Sequence, residues 1–168
     1  MNYRSAVEIL ASTKDKMRFD NKGQEHAASV LEMMFKYYDE VRMYSGEMSA
    51  DVTDNQYFMQ ALNHFLNDGT KKLYIFLDDI PNEADQSHAL KKIYSFVNDE
   101  TVIVKKAPKD FIDELRAIFK EEDAYHFAVA DDKAYRVEFD AKNYKASCSY
   151  NKPEKAQILK SVFDKYFF

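Results

Sequence analysis

The chain of 168 residues has one cysteine, no tryptophan, three glycines and three prolines. The single cysteine, Cys148, excludes an internal disulfide and fits a reducing compartment. Because glycine and proline are scarce, we expect regular structure along most of the chain. The first residues lack the apolar core of a signal peptide, and no apolar run is long enough to span a membrane. A cytoplasmic protein without membrane contact is therefore expected.

Basic residues are the scarcer charged class, with 24 Lys and Arg against 29 Asp and Glu and a formal net charge of −5. This balance argues against a dominant phosphate-binding surface, although a local basic patch is compatible with it. Apolar residues make up 46% of the chain, which is enough for a hydrophobic core. We predict a single α/β domain over residues 1–168.

The stretch from Val41 to Asp79 predicts a strand over residues 41–45, a helix over 54–68 and a second strand over 72–77. The second strand is an almost unbroken apolar run that stops at two aspartates. Such a run is typical of a buried strand in a parallel sheet. Two strands joined in this way by a helix predict a βαβ unit.

Local signals predict where two helices begin and end. Asp54 is placed to cap the helix of the central unit, and Gly69 to end it in the left-handed conformation. Asn21 with Gln24 resembles a capping box for a helix that extends to about residue 39.

The rest of the chain continues the alternation of helices and strands and then changes. Further helices are predicted over 3–12, 84–97 and 108–120 and from Pro153 onward, and further strands over 101–104, 125–130, 134–139 and 145–150. This order predicts an α/β fold with a mixed, mainly parallel sheet flanked by helices, followed by a C-terminal β-hairpin and a final helix.

Residues 41–48, 69–79 and 125–133 resemble segments of the phospholipase D-like superfamily. With their linking elements they span roughly residues 20–168, and the element order resembles one half of that fold. The small, degenerate members of the superfamily are the most similar. Homodimerisation would fit this resemblance, because members commonly pair two halves.

The resemblance also implies a degenerate catalytic motif. Active members carry His-x-Lys and, after four more residues, an Asp; the His attacks a phosphodiester and the Lys binds the phosphate. Here His126 occupies the first position, Ala128 replaces the Lys, and Lys133 stands where the Asp is expected. Without the Lys, the charge that stabilises the pentacovalent transition state is missing. The resemblance therefore implies a protein that is inactive as a phosphodiesterase.

A second group of candidate residues follows the two central strands. Ser45 ends the first strand and Glu47 follows it, and Asp78 and Asp79 come after the second. The carboxyl ends of strands in open α/β sheets form the usual binding crevice, and three carboxylates there would suit Mg²⁺. Because solvated acids that cap loops are more common, we predict neither a metal nor a cofactor.

The candidate binding residues are thus Ser45, Glu47, Asp78, Asp79 and Lys133, and His126 is a weak candidate for catalysis. A lone histidine on a strand is more often packed or hydrogen-bonded than catalytic. The spacing of the other histidines does not match a zinc site.

We interpret the sequence as a non-catalytic module that binds a macromolecule, with protein favoured over nucleic acid as the partner. The alternative is a nuclease or phosphodiesterase that uses His126 or an acidic metal cluster formed by Glu47, Asp78 and Asp79. A small-molecule sensor at the strand-end crevice is a third hypothesis, which lacks a glycine-rich phosphate loop.

Overall fold

A computed structural model describes residues 1–120 and 125–168. Within these ranges the chain forms seven strands and seven α-helices. In chain order they are α1 (Tyr3–Ser12), β1 (Phe19–Asn21), α2 (Gln24–Tyr37), β2 (Glu40–Ser45), α3 (Ala50–Thr53), α4 (Gln56–Asn67), β3 (Lys72–Leu77), α5 (His88–Tyr94), β4 (Val102–Lys106), α6 (Lys109–Phe119), β5 (Phe127–Ala130), β6 (Ala134–Asp140), β7 (Lys145–Ser149) and α7 (Pro153–Phe167). Short 3₁₀ turns lie at Glu83–Asp85 and Ala141–Asn143.

The seven strands form one mixed sheet in the order β1-β7-β6-β5-β2-β3-β4. This confirms the predicted α/β class, with flanking helices, a hairpin (β5 and β6) and a final helix. Parallel pairing joins β2 to β3 and β3 to β4, whereas the other four pairings are antiparallel. The parallel part is smaller than expected, because the hairpin adds to the β2 edge and extends the same sheet.

Two hydrophobic clusters cover the two faces of the sheet. We call the side packed by α1, α2, α4 and α5 the first face and the side packed by α6 and α7 the second face. Strand side chains alternate between them: Phe127 and Val129 of β5 lie on the second face, and Ala128 on the first. Each fully buried large side chain stabilises the fold by about 1.5–3 kcal/mol.

The predicted caps of the central helix are wrong in position. Asn55, not Asp54, caps α4, and its side chain accepts hydrogen bonds from the first-turn N–H groups. Asp54 instead ends the short helix α3. At the other end α4 stops at Asp68, whose backbone is extended, and Gly69 is not left-handed. The side chain of Asn55 therefore occupies the capping position that was expected for Asp54.

The predicted capping box of α2 is also wrong. Asn21 belongs to β1 and is buried, and its amide donates to the backbone oxygen of Tyr144 at 2.5 Å. Its side-chain oxygen accepts from Arg136 at 2.9 Å. Helix α2 begins after Gly23, whose φ of 90° is one that glycine adopts without strain. Asn21 therefore forms hydrogen bonds within and beside the sheet and does not cap the helix.

Helix α7 begins at Pro153, as predicted, and packs on the second face through Leu159, Phe163 and Phe167. Phe168 lies beyond the helix and is 72% exposed, although its ring contacts Tyr74 edge-on. Neither this helix nor any other in the described ranges is long and apolar enough to cross a membrane.

Candidate functional site

The sheet order brings three chain segments together at the carboxyl ends of β2 and β3. Strands β2 and β3 are parallel and end side by side, with Ser45 opposite Leu77. Strand β5 runs antiparallel to β2, with Phe127 opposite Tyr44, so it begins where they end. His126, just before β5, therefore lies next to the residues that follow β3.

Asp78 is the residue that His126 meets. One carboxylate oxygen of Asp78 lies 2.8 Å from His126 Nε2, and the other accepts a hydrogen bond from the Tyr44 hydroxyl at 2.6 Å. The Tyr44 ring stands edge-on to the imidazole, with centroids 4.9 Å apart. The Asp78 carboxylate is therefore held from two sides.

A second carboxylate approaches the imidazole from β6. Glu138 Oε1 lies 3.8 Å from His126 Nδ1, and its other oxygen accepts from Arg136 Nη2 at 3.2 Å. The side chains of Arg136 and Glu138 are nearly buried. We call the following set the His126 cluster: Tyr44, Asp78, His126, Arg136 and Glu138.

The cluster fixes the charge of His126. Burial disfavours the imidazolium, but the hydrogen bond to Asp78 and the nearby Glu138 carboxylate outweigh it and raise the pKa of His126 from 6.5 to about 9. Burial likewise opposes ionisation of Asp78 and Glu138, yet the hydrogen bond from His126 lowers the pKa of Asp78, and the proximity of His126 and Arg136 lowers that of Glu138. At neutral pH the cluster therefore holds a histidine cation between two carboxylates.

The protonation of His126 determines whether it can act as a nucleophile or a base. A nucleophilic or basic imidazole needs an unprotonated ring nitrogen, and protonation removes it. Ala128, on β5 two residues after His126, has no charged group. Its cross-strand neighbour Arg136 supplies a cation, but the guanidinium already binds Glu138 and Asn21.

A cavity of about 240 Å³ lies beside the cluster. Its wall includes Ser45, Glu47, His126, Arg136 and Glu138, and its remainder is largely apolar. The structure thus brings Ser45 and Glu47 to the crevice that the sequence predicted. Asp78 lies at the same end of the strands, where it contacts His126.

Two other predicted site residues lie elsewhere. Asp79 is exposed and forms a surface ion pair with Lys106 at 3.1 Å. Lys133 is exposed in the turn between β5 and β6. Ala130, at the end of β5, pairs with Val41 near the start of β2. This turn therefore lies at the opposite end of the strands from His126. The structure therefore does not bring Asp79 or Lys133 to the His126 cluster.

The residues of the alternative metal cluster do not converge either. Asp78 is engaged by Tyr44 and His126, and Asp79 by Lys106. In residues 1–120 and 125–168, no group of three or more His, Cys, Asp or Glu side chains is arranged to hold a metal ion.

Sequence reasoning missed Tyr44, Arg136 and Glu138 as members of the site. The alternation along β6 signals that Arg136 and Glu138 share a face. The signal that would place them beside His126 is the register between β5 and β6, which no local pattern encodes.

Comparisons with known proteins give a fold likeness. No family model matches the chain, and no curated protein matches it. Among solved structures, the chain is similar to TrmBL2, described as an archaeal chromatin protein whose structure shows a novel mode of DNA binding. The TM-score is 0.56 at 11% sequence identity, over 96% of this chain and 57% of the other. The chain thus spans little more than half of that protein, and the likeness concerns the fold alone.

Proposed function

We propose that this chain is a non-catalytic binding module with a degenerate phospholipase D-like fold that acts by contacting another macromolecule, a protein in preference to a nucleic acid. The carrying observation is the position of His126, whose Nε2 lies 2.8 Å from Asp78 and whose Nδ1 lies 3.8 Å from Glu138. A histidine placed between two carboxylates in this way is a structural ion-pair partner rather than a nucleophile.

The charges around His126 support the absence of phosphodiesterase activity. A phosphodiester bound there would bring a further negative charge beside Asp78 and Glu138, while the Arg136 guanidinium is already engaged. Ala128 provides no substitute for the phosphate-binding lysine. Transition-state stabilisation by positive charge, usually the largest contribution to such catalysis, is therefore weak here.

A protein partner fits the surface charge better than a nucleic acid does. The net charge is −5, and exposed lysines such as Lys106, Lys109 and Lys165 form ion pairs with carboxylates of the same surface. Binding to a phosphate backbone would need these cations to exchange partners.

The second candidate function is DNA binding. It is favoured by the fold likeness to TrmBL2, whose structure shows a mode of DNA binding and which aligns with 96% of this chain.

Hydrolysis assays test the leading proposal. The purified chain and His126→Ala are incubated with bis(p-nitrophenyl) phosphate and with linear DNA, with and without Mg²⁺. We expect both proteins to show only the buffer rate. Hydrolysis by the parent chain that His126→Ala abolishes, while circular dichroism shows a folded variant, would overturn the proposal in favour of the phosphodiesterase alternative.

Fluorescence anisotropy with a labelled 30-base-pair duplex separates the two kinds of partner. We expect a Kd weaker than about 100 µM at 150 mM salt, the weak end of non-specific DNA binding. Micromolar or tighter binding that weakens steeply with salt would instead establish the second candidate.

A further inference from the structure

The second face of the sheet is wider than the helices that cover it. Seven strands about 4.8 Å apart span about 29 Å between their outer axes, whereas two helices packed about 10 Å apart cover roughly 20 Å. In the described part of the chain, the helical side chains buried on this face belong to α6 and α7. The uncovered width is about that of one further helix.

A groove of about 800 Å³ lies at this place, alongside the first half of α7. Tyr135 and Val137 of β6 line it and are buried. Three other apolar side chains line it and are exposed: Ile118 of α6, Phe139 of β6 and Ile158 of α7 are 38%, 44% and 55% exposed. Exposed apolar side chains that converge in one groove, rather than lying singly on the surface, make this groove a candidate interaction surface.

Two cations line the same groove. The Lys155 ammonium lies over the Tyr135 ring, 4.9 Å from its centroid, and no carboxylate of the described residues forms an ion pair with it. Arg18 donates to the Ser147 hydroxyl at 3.0 Å and contacts Asp20 only across an exposed 3.5 Å ion pair. Burial and the charge of Arg18 both lower the pKa of Lys155. Glu154 also lines the groove, so its charged lining consists of two cations and one carboxylate and carries a small positive excess.

We infer that this groove binds an amphipathic α-helix of a partner protein, whose apolar side packs on Ile118, Phe139 and Ile158 and whose acidic side chains meet Arg18 and Lys155. We call the surface formed by these five residues the α7 groove. The inference rests on the proposed binding function and specifies its partner. Helix-in-groove recognition of this kind uses apolar anchors spaced three and four residues apart.

The occupant belongs to another protein rather than to a second copy of this chain. Each described helix of eight or more residues already buries its own apolar side in the fold. A second copy could therefore offer only the few apolar side chains that its folded helices leave exposed, such as Ile9 of α1. Duplex nucleic acid is disfavoured as well, since its outer surface is a phosphate backbone with no apolar side to cover Phe139 and Ile158.

Selection from a phage-displayed library of random 16-residue peptides tests the inference. The full chain is the target, and Phe139→Glu serves for counter-selection. We expect enriched peptides to combine apolar residues at spacings of three and four with Asp or Glu. A fluorescein-labelled enriched peptide should bind at least about tenfold more weakly to Ile158→Glu, because a charge replaces a central apolar contact.

Charge reversal supplies the sharper readout. The double variant Arg18→Glu with Lys155→Glu should weaken the same peptide about tenfold, and a peptide with Lys in place of its acids should regain that loss. The matched control is Ile9→Glu, since Ile9 is 50% exposed on α1 and lies outside the groove. This control should bind like the parent chain.

The other outcomes overturn the inference. These are the absence of an enriched sequence, enrichment without acidic residues, and binding that the groove variants leave unchanged. A concentration-dependent dimer in light scattering that Phe139→Glu abolishes would place a second copy in the groove. If peptide binding maps elsewhere, only the α7 groove is wrong, whereas His126-dependent hydrolysis would overturn the proposed function itself.

Discussion

The His126 cluster and the α7 groove lie on opposite sides of strand β6. They differ in how many of their side chains have a hydrogen-bond, ion-pair or packing partner within the fold. In the cluster, Arg136 and Glu138 each have partners within the fold. Among the residues that the structure describes, no buried side-chain nitrogen or oxygen lacks a hydrogen-bond partner. In the groove, Phe139 and Ile158 stay exposed and Lys155 has no carboxylate partner within the described ranges.

This difference separates a structural role from a binding role. A ligand that enters a satisfied cluster must break existing ion pairs, so its net gain is small. A partner that covers exposed apolar side chains gains the free energy of their burial, about 25 cal/mol per Å² before the costs of association. Mutations in the cluster should therefore lower stability, whereas mutations in the groove should lower binding.

The largest expected effect comes from breaking the cluster at Glu138. Glu138→Ala leaves the Arg136 cation nearly buried without its carboxylate, since the two side chains are 11% and 7% exposed. We expect the free energy of unfolding to fall by about 3 kcal/mol or more, the usual cost of an unpaired buried charge. Urea denaturation followed by circular dichroism measures it.

Asp79→Ala is the matched control for that variant. Asp79 pairs with Lys106, but both side chains are at least 65% exposed. We expect a change within about 0.5 kcal/mol. If the two variants lose equal stability, the cluster is no more structural than a surface ion pair.

The next effect is a dependence of stability on pH. The pKa of His126 is about 9 in the fold and 6.5 as its ordinary value, so folding favours the protonated form. The stabilisation is complete below pH 6.5 and is lost as the pH rises through 9. Relative to His126→Gln, the parent chain should lose roughly 2 kcal/mol over this window, with allowance for partial exposure.

Urea titrations at half-unit pH intervals measure this difference. His88→Gln, at an exposed histidine on α5, should follow the parent curve. An NMR titration that places the His126 midpoint near 6.5 would contradict the ion-pair account and would restore a neutral imidazole at physiological pH.

The central strands were predictable because their signal is local. The expected strands over 41–45 and 72–77 correspond to Glu40–Ser45 and Lys72–Leu77. A continuous apolar run that ends in charged residues carries its own boundaries, so nothing distant is needed to place it. The strand-end crevice followed from the same two elements, and the structure does place Ser45 and Glu47 there.

The partners of His126 were not predictable, because they depend on register between distant strands. Asp78 is 48 residues away in sequence, and Glu138 reaches the imidazole only because β6 pairs with β5. A shift of one residue in that pairing would turn Glu138 to the other face. Helix limits failed for a related reason: the helix expected over 84–97 is divided into a 3₁₀ turn and the shorter α5, and spacing alone does not reveal that division.

A smaller effect distinguishes the two carboxylate contacts of Asp78. Tyr44→Phe removes the hydroxyl that donates to Asp78 at 2.6 Å and leaves the ring in place. We expect a loss of about 1.5–2 kcal/mol, the lower end for a hydrogen bond to a charged group, because the Asp78 side chain is 35% exposed. The control is Tyr144→Phe, whose hydroxyl donates to Asp51 at an exposed position and should matter little. Equal losses in urea denaturation would mean that Asp78 does not need Tyr44.

The smallest effect on stability is expected in the α7 groove. It tests whether the exposed side chains of the groove contribute to the stability of the fold. Ile158 is 55% exposed, so Ile158→Ser should change the free energy of unfolding by no more than about 0.5 kcal/mol. Its neighbour Leu159 is 2% exposed, and Leu159→Ala should cost about 2–5 kcal/mol because it leaves a cavity. Urea denaturation of both variants decides the point. A loss above about 1 kcal/mol in Ile158→Ser would show that the fold itself uses this side chain, and the α7 groove would then be core rather than a surface kept free for a partner.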